Sequence, residues 1–123
     1  MTKRQLGNLA PLLPGLQLGI FEIIWPACPW IKSIWLKKGD GQVHFFIEAT
    51  NAPDEKQWEN CRRHMGEMVD VAARFDEVVF SAGHTIQYGS LTPQDEGYLE
   101  LMSDRQFKEI ATKHAPWRLD SGR

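Results

Sequence analysis

The sequence is poor in cysteine and has no long apolar run. Its 123 residues include only two cysteines, Cys28 and Cys61, too few for the disulfide framework of a small secreted protein, although a single disulfide between them stays open. No stretch reaches the roughly 18 consecutive apolar residues of a membrane-spanning helix. The apolar run near the amino terminus contains prolines and lacks a small-residue cleavage site, unlike a signal peptide. We therefore expect a cytoplasmic protein that does not enter a membrane.

The sequence also lacks the motifs of the common enzyme classes. It contains no Gly-x-Ser-x-Gly turn, no glycine-rich phosphate loop, no His-Glu-x-x-His helix and no dinucleotide fingerprint. Cys61 and His64 are spaced to lie on adjacent turns of a helix, but a zinc site needs three or four ligands. We therefore expect no metal and no cofactor, and we favour a binding protein over an enzyme.

The composition indicates one folded domain. The chain is 42% hydrophobic and 24% charged, which is an ordinary globular composition, and its length suits one core rather than two. We predict a single domain over residues 1–123. Residues 1–15 are interrupted by prolines and glycines and are expected to form an irregular arm, and residues 120–123 a frayed tail.

The most regular pattern runs from Asn51 to Phe75 and predicts an amphipathic helix. Its apolar residues recur three or four positions apart. They are Trp58, Cys61, Met65, Met68, Val69, Ala72 and Phe75. Asn51 or Asp54 can cap the first turn, and Pro53 is tolerated there. One face of this helix is therefore predicted to be buried and the other solvated.

Strand signals surround this helix. Runs rich in β-branched and aromatic residues, bounded by turn formers, predict strands at residues 16–25, 31–37, 42–50, 77–88 and 98–102. The fourth of these is either one bulged strand or two short ones. In residues 42–50, apolar side chains alternate with polar ones, and Val43, Phe45, Ile47 and Ala49 should face the long helix.

A second helix completes the predicted fold. Ser103 and Gln106 have the spacing of a capping box, so this helix should begin at Asp104 and end before Pro116. The element order is then βββαββα. We predict an α+β fold with an antiparallel or mixed sheet of about five strands and two helices packed on one face.

Aromatic and basic residues cluster between residues 25 and 38. We predict that Trp25 and Trp35 lie in the core, whereas Trp30, in a loop with prolines, belongs either to the core or to an interface that makes a homodimer. The three lysines of residues 32–38 are few, and the acidic remainder of the chain repels phosphate. We therefore expect no direct contact with nucleic acid, and we leave monomer and homodimer open.

The strongest charge signal lies between Phe75 and Asp104. This segment contains six acidic residues, no Lys or Arg, and both tyrosines of the chain. Carboxylates interleaved with tyrosines suit a basic protein surface, because the acids steer the encounter and the aromatic rings supply buried area. The predicted partner-binding residues are Glu77, Tyr88, Asp95, Glu96, Tyr98 and Glu100.

These features favour a small acidic protein that neutralises a basic protein partner. The expected role is that of an immunity protein or inhibitor in a bacterial toxin and antitoxin pair. A nuclease toxin is the favoured partner, since carboxylates can stand in for the phosphates that a nuclease binds. The alternative is a small hydrolase or phosphodiesterase in which His84 and His44, on neighbouring strands, act as acid and base.

Overall fold

The computed structural model of the protein describes residues 13–39, 42–75, 84–90 and 97–120. The helical elements are α1 (Leu13–Gly19), a π-helical turn (Ile20–Ile24), α2 (Trp25–Ala27), α3 (Glu55–Phe75), α4 (Asp104–His114) and α5 (Trp117–Asp120). The strands are β1 (Ile31–Gly39), β2 (Gln42–Ala49), β3 (His84–Gly89) and β4 (Leu99–Ser103). The predicted α+β class is confirmed, but the described residues form four strands rather than five.

The prediction of a strand at residues 16–25 is wrong, because this segment is helical. Between residues 16 and 28 the buried side chains are Leu16, Ile20, Phe21, Ile24, Trp25 and Cys28. They recur every three or four residues, which is the helical period, whereas a half-buried strand would alternate. Leu18 and Ile23 are its exposed large apolar side chains. The β-preference of isoleucine was therefore overridden by burial on one helical face. Helix α1 also begins at Leu13, inside the range predicted to be an irregular arm.

The sheet is mixed and has the order β3-β2-β1-β4. Strand β1 is antiparallel to both of its neighbours, and Gly39 pairs with Gln42 at the end of the predicted β1–β2 hairpin. Strands β2 and β3 are parallel, and α3 makes the crossover that a parallel pair requires. The strand predicted at residues 77–88 is described only from His84 onward.

Side chains cap both longer helices. The Asp54 carboxylate accepts a hydrogen bond from the Gln57 backbone N–H at 2.7 Å, and the Asp54 N–H donates to the Gln57 side chain at 2.9 Å. Asp54 rather than Asn51 is therefore the cap, and α3 begins at Glu55. The Ser103 hydroxyl accepts from the Gln106 N–H at 3.4 Å, as the sequence predicted. Helix α4 ends at His114, before Pro116.

The helices and one face of the sheet share a single core. Val43, Phe45 and Ile47 of β2 are fully buried and belong to the same cluster as Cys61 and Met65 of α3. Met68 and Val69 are buried in it too, as predicted, and so are Phe107 and Ala111 of α4. The side chains predicted to extend this stripe beyond residue 70 lie outside the described ones. Each helix in the described part of the chain is too short or too polar to span a bilayer.

The three tryptophans at residues 25, 30 and 35 have three different environments. Trp25 is fully buried and stacks on Phe107 at a ring distance of 6.4 Å. Trp30 is also buried and contacts the Trp58 ring edge-on, so it belongs to the core rather than to an exposed interface. The prediction that Trp35 lies in the core is wrong, because Trp35 is only half-buried and pairs with Phe46 on the face of the sheet opposite the helices.

Candidate functional site

Two of the predicted partner-binding residues meet at the start of β4. Tyr98 directly precedes the strand and lies against Phe46 on the face of the sheet opposite the helices, with a ring distance of 6.1 Å. Glu100 is next to Trp35 in the β1–β4 register, on the same face. Both side chains are partly exposed. The start of β4 therefore presents one ring and one carboxylate side by side.

Two positively charged side chains lie beside Tyr98 and Glu100. The Arg105 guanidinium lies 3.4 Å from a carboxylate oxygen of Glu100, and the Ser103 hydroxyl donates to the same oxygen at 3.1 Å. The Lys37 ammonium lies 5.0 Å from the centre of the Tyr98 ring. Glu100 is thus held in a defined position, and its charge is partly balanced by an arginine that is itself 72% exposed.

Tyr88 does not belong to this surface. It pairs with Ile47 in β3, so its side chain points to the helix side of the sheet, where its ring lies 4.6 Å from that of Trp58. Strands β3 and β4 are the opposite edges of the sheet, separated by about 14 Å at the usual strand spacing. Glu77, Asp95 and Glu96 lie outside the described residues. The structure therefore brings Tyr98 and Glu100 together and places Tyr88 elsewhere.

The two histidines of the enzymatic alternative lie on opposite faces of the sheet. His44 is next to Thr85 in the β2–β3 register and contacts its hydroxyl at 2.7 Å, on the face away from the helices. His84 is next to Val43, and its ring lies 6.5 Å from Phe45 on the helix side. Because adjacent strand positions point in opposite directions, the imidazoles cannot share one substrate. The geometry gives this acid–base pair no support.

A polar cluster that the sequence did not reveal surrounds Glu48. This carboxylate is buried, with only 4% of the residue exposed, on the face of the sheet opposite the helices. It accepts a hydrogen bond from the Ser33 hydroxyl at 2.9 Å and lies 3.3 Å from the Lys32 ammonium. The Trp35 indole N–H in turn donates to Ser33 at 2.8 Å.

An irregularity in β1 makes this cluster. The β1–β2 register shifts between Ile31 and Ser33. In a regular strand Lys32 and Ser33 would point to opposite faces, whereas the shift lets both reach the same carboxylate. The alternation of β2 predicted that Glu48 faces away from the helices, but no sequence signal marked the irregularity in β1.

The Ser33 hydroxyl is expected to stabilise this cluster measurably. Ser33→Ala removes the donor to a buried carboxylate oxygen and the acceptor for an indole N–H, so we expect a loss of about 1–3 kcal/mol in the free energy of unfolding. Thr112→Ala is the control, because the Thr112 hydroxyl donates to a backbone carbonyl on an exposed helix surface. Equal urea midpoints for both variants would contradict the assignment.

The helix side of β3 carries a groove with basic side chains. It has a volume of about 380 Å³ and is lined by Glu59, Arg62, Arg63, His84 and Ile86. The Arg62 guanidinium pairs with Glu59 and lies 6.0 Å from the Trp58 ring. The sequence predicted that the outer face of α3 is solvated, but it did not place that face beside a strand.

The two cysteines are adjacent buried thiols rather than a disulfide. A hydrogen bond with the Cys28 thiol, together with burial, raises the pKa of Cys61 well above its ordinary range. The His64 Nδ1 atom lies 3.8 Å from a carboxylate oxygen of Glu67 on the same helix. Within the described ranges, no three His, Cys, Asp or Glu side chains come together as metal ligands.

Comparison of the chain with protein-family models, with curated proteins and with solved structures gives no match.

Proposed function

We propose that the protein is a small binding protein that neutralises a basic protein partner, in the manner of an immunity protein or toxin inhibitor. A nuclease domain is the favoured partner, because its phosphate-binding surface is basic. The observation that carries the proposal is the segment of residues 76–104, with six acidic residues, two tyrosines and no Lys or Arg. Such a segment attracts positive charge and offers aromatic area for contact.

The start of β4 supports a narrower contact surface than the sequence suggested. Tyr98 and Glu100 share one face there, and Asp95 and Glu96 precede them directly in the chain. Asp104 follows β4 at the exposed first position of α4. The proposed contact is therefore centred on residues 95–104, and Tyr88 at the other edge of the sheet is not part of it.

The pairing of Glu100 with Arg105 is compatible with this role. Arg105 is 72% exposed and Glu100 is 24% exposed, so solvent reaches the pair from the arginine side, and the ion pair contributes only about 1 kcal/mol. An arginine or lysine of a partner can replace Arg105 at small cost. The Ser103 hydroxyl meanwhile holds the carboxylate in place before the partner arrives, which reduces the ordering required on binding.

Charge reversal at this surface tests the proposal. The protein is immobilised, and the partner that it captures stoichiometrically from its source cells is identified. The affinity of the two proteins is then measured between about 50 and about 300 mM salt, a range over which the screening of surface charges changes strongly. We expect a basic partner whose affinity falls with salt, and a loss of at least about tenfold for Asp95→Lys with Glu96→Lys. Nuclease activity of the captured partner should fall when wild-type protein is added.

Glu55→Lys with Glu67→Lys provides the matched control. It makes the same change in net charge on the exposed face of α3, so it reports the effect of net charge alone. Salt-independent binding, or equal losses for both double variants, would refute a contact centred on residues 95–104. An acidic captured partner would refute the proposed role itself.

A further inference from the structure

We propose that the outer edge of β3 binds an extended acidic segment of another protein, which adds to the sheet as a fifth strand. The added strand would lie beside residues 84–89, and its acidic side chains would enter the groove between β3 and α3. This surface lies on the other edge of the sheet from the residues assigned to the basic partner, so it is a second and independent contact.

The two edges of the sheet differ in how they are covered. At the β4 edge, the Gln17 side chain of α1 donates a hydrogen bond to the Leu101 carbonyl at 3.1 Å. The β1–β4 register also shifts between Ile34 and Trp35, next to this point. Side-chain capping and bulges both block the pairing of another strand. Among the described elements, none lies beside β3 on the side away from β2, so β3 is the edge suited to strand addition.

The groove beside β3 specifies the charge of the ligand. The two guanidinium groups of Arg62 and Arg63 line it together with the His84 ring, against the single carboxylate of Glu59. Glu59 pairs with Arg62, whereas Arg63 donates to the neutral Asn60 side chain, at 2.9 Å. A groove with this balance attracts carboxylates, and a bidentate arginine contact with a carboxylate is among the stronger polar interactions.

The end of β3 at Tyr88 suits an apolar residue of the ligand. Tyr88 is 43% exposed and packs on Trp58, and Trp58 packs on the buried Trp30. This places a partly exposed aromatic pair on a rigid base, the kind of surface that anchors bound side chains. His84 and Tyr88 are four residues apart, about 13 Å along a strand, so one short segment can reach both.

The geometry therefore predicts the sequence pattern of the ligand. In an added strand every second side chain points to the helix side, next to His84, Ile86 and Tyr88. Two acidic residues separated by one position would lie beside Arg62 and Arg63, and an apolar residue two positions further on would lie against Tyr88. The order is reversed for an antiparallel strand.

Synthetic peptides test this inference directly. The probes are the hexapeptide Asp-Thr-Asp-Thr-Leu-Thr, its reverse, and versions with lysine in place of both aspartates. We expect an aspartate peptide to shift the backbone amide NMR signals of residues 84–89 and the Trp58 indole signal, and the lysine peptides to leave them unchanged. Two further peptides carry N-methyl groups on alternate backbone nitrogens, one on the odd-numbered and the other on the even-numbered residues. Only one of these two peptides should lose binding, because only one set of N–H groups faces β3.

A charge-swap variant separates specific binding from general attraction. Arg62→Glu with Arg63→Glu should weaken the aspartate peptide at least about tenfold and allow the lysine peptide to bind. Lys108→Glu with Lys113→Glu, on the exposed surface of α4, should change neither result. Absence of shifts at residues 84–89 with every peptide would overturn the proposal. Concentration-dependent shifts there without peptide, with a dimer in sedimentation, would assign the edge to a second copy instead.

Discussion

Cys28 and Cys61 are expected to react with an aromatic disulfide reagent at least about 1,000-fold more slowly in the native protein than in the unfolded chain. Both thiols are fully buried, so the reagent reaches them only when the protein opens. If opening is global, the protection equals the ratio of folded to unfolded molecules, which is about 10³ or more for ordinary domains. The reaction should then accelerate in urea along the same curve as unfolding.

The pH dependence of stability provides a second measurement of the same thiol pair. The pKa of Cys61 is raised by its hydrogen bond with Cys28 and by burial, so the folded protein keeps a proton that the unfolded chain releases. Stability from this source is complete below the unfolded pKa of about 8.5 and is lost as the pH rises above it, by up to about 1.4 kcal/mol per pH unit. The free energy of unfolding of Cys61→Ser should decline less than that of the wild type between about pH 8 and about pH 10.

Fast native-state labelling of one thiol, independent of urea, would contradict the buried pair. Mass spectrometry of the labelled protein shows which cysteine reacted, so a local opening near Cys28 is distinguished from one near Cys61. Rapid formation of an intramolecular disulfide with glutathione disulfide would contradict it as well, because exchange requires an accessible thiolate.

Phe45→Ala is expected to cost about 3–5 kcal/mol in the free energy of unfolding. Phe45 is fully buried in the second strand, where it faces the helices between Leu36 and Ile86 of the neighbouring strands. Removing its ring leaves a cavity that the surrounding strands cannot close without disturbing their pairing. This cost is a large part of the stability of an ordinary domain, about 5–15 kcal/mol, so the variant should melt far below the wild type.

Phe46→Ala is the matched control, because it makes the same chemical change one residue later. Phe46 points to the other face of the sheet and is only partly buried, between Tyr98 and the backbone of Gly89. Its truncation removes less buried area, and we expect a loss of about 1–2 kcal/mol. A larger loss for Phe46→Ala than for Phe45→Ala in urea unfolding would show that the main core lies on the other face of the sheet.

The candidate site was only partly predictable from the sequence. The charge of residues 76–104 and the partial exposure of Tyr98 follow from local composition, and both enter the proposed contact. The separation of Tyr88 from Glu100 does not, because it depends on β3 and β4 occupying opposite edges of the sheet. The same strand pairing puts His44 and His84 on opposite faces. The Lys32–Glu48 contact depends on a bulge in β1 that no residue pattern predicted.

The sequence by itself determined the elements whose periodicity and capping agree. Helix α3 with its buried stripe, the alternation of β2 and the capped start of α4 were all readable, because neighbouring residues alone decide these patterns. Only the tertiary structure decided that residues 16–25 form a helix, that the sheet is mixed, and which side chains meet across strands. These outcomes depend on burial against distant residues, which can outweigh the preference of any local segment for strand or helix.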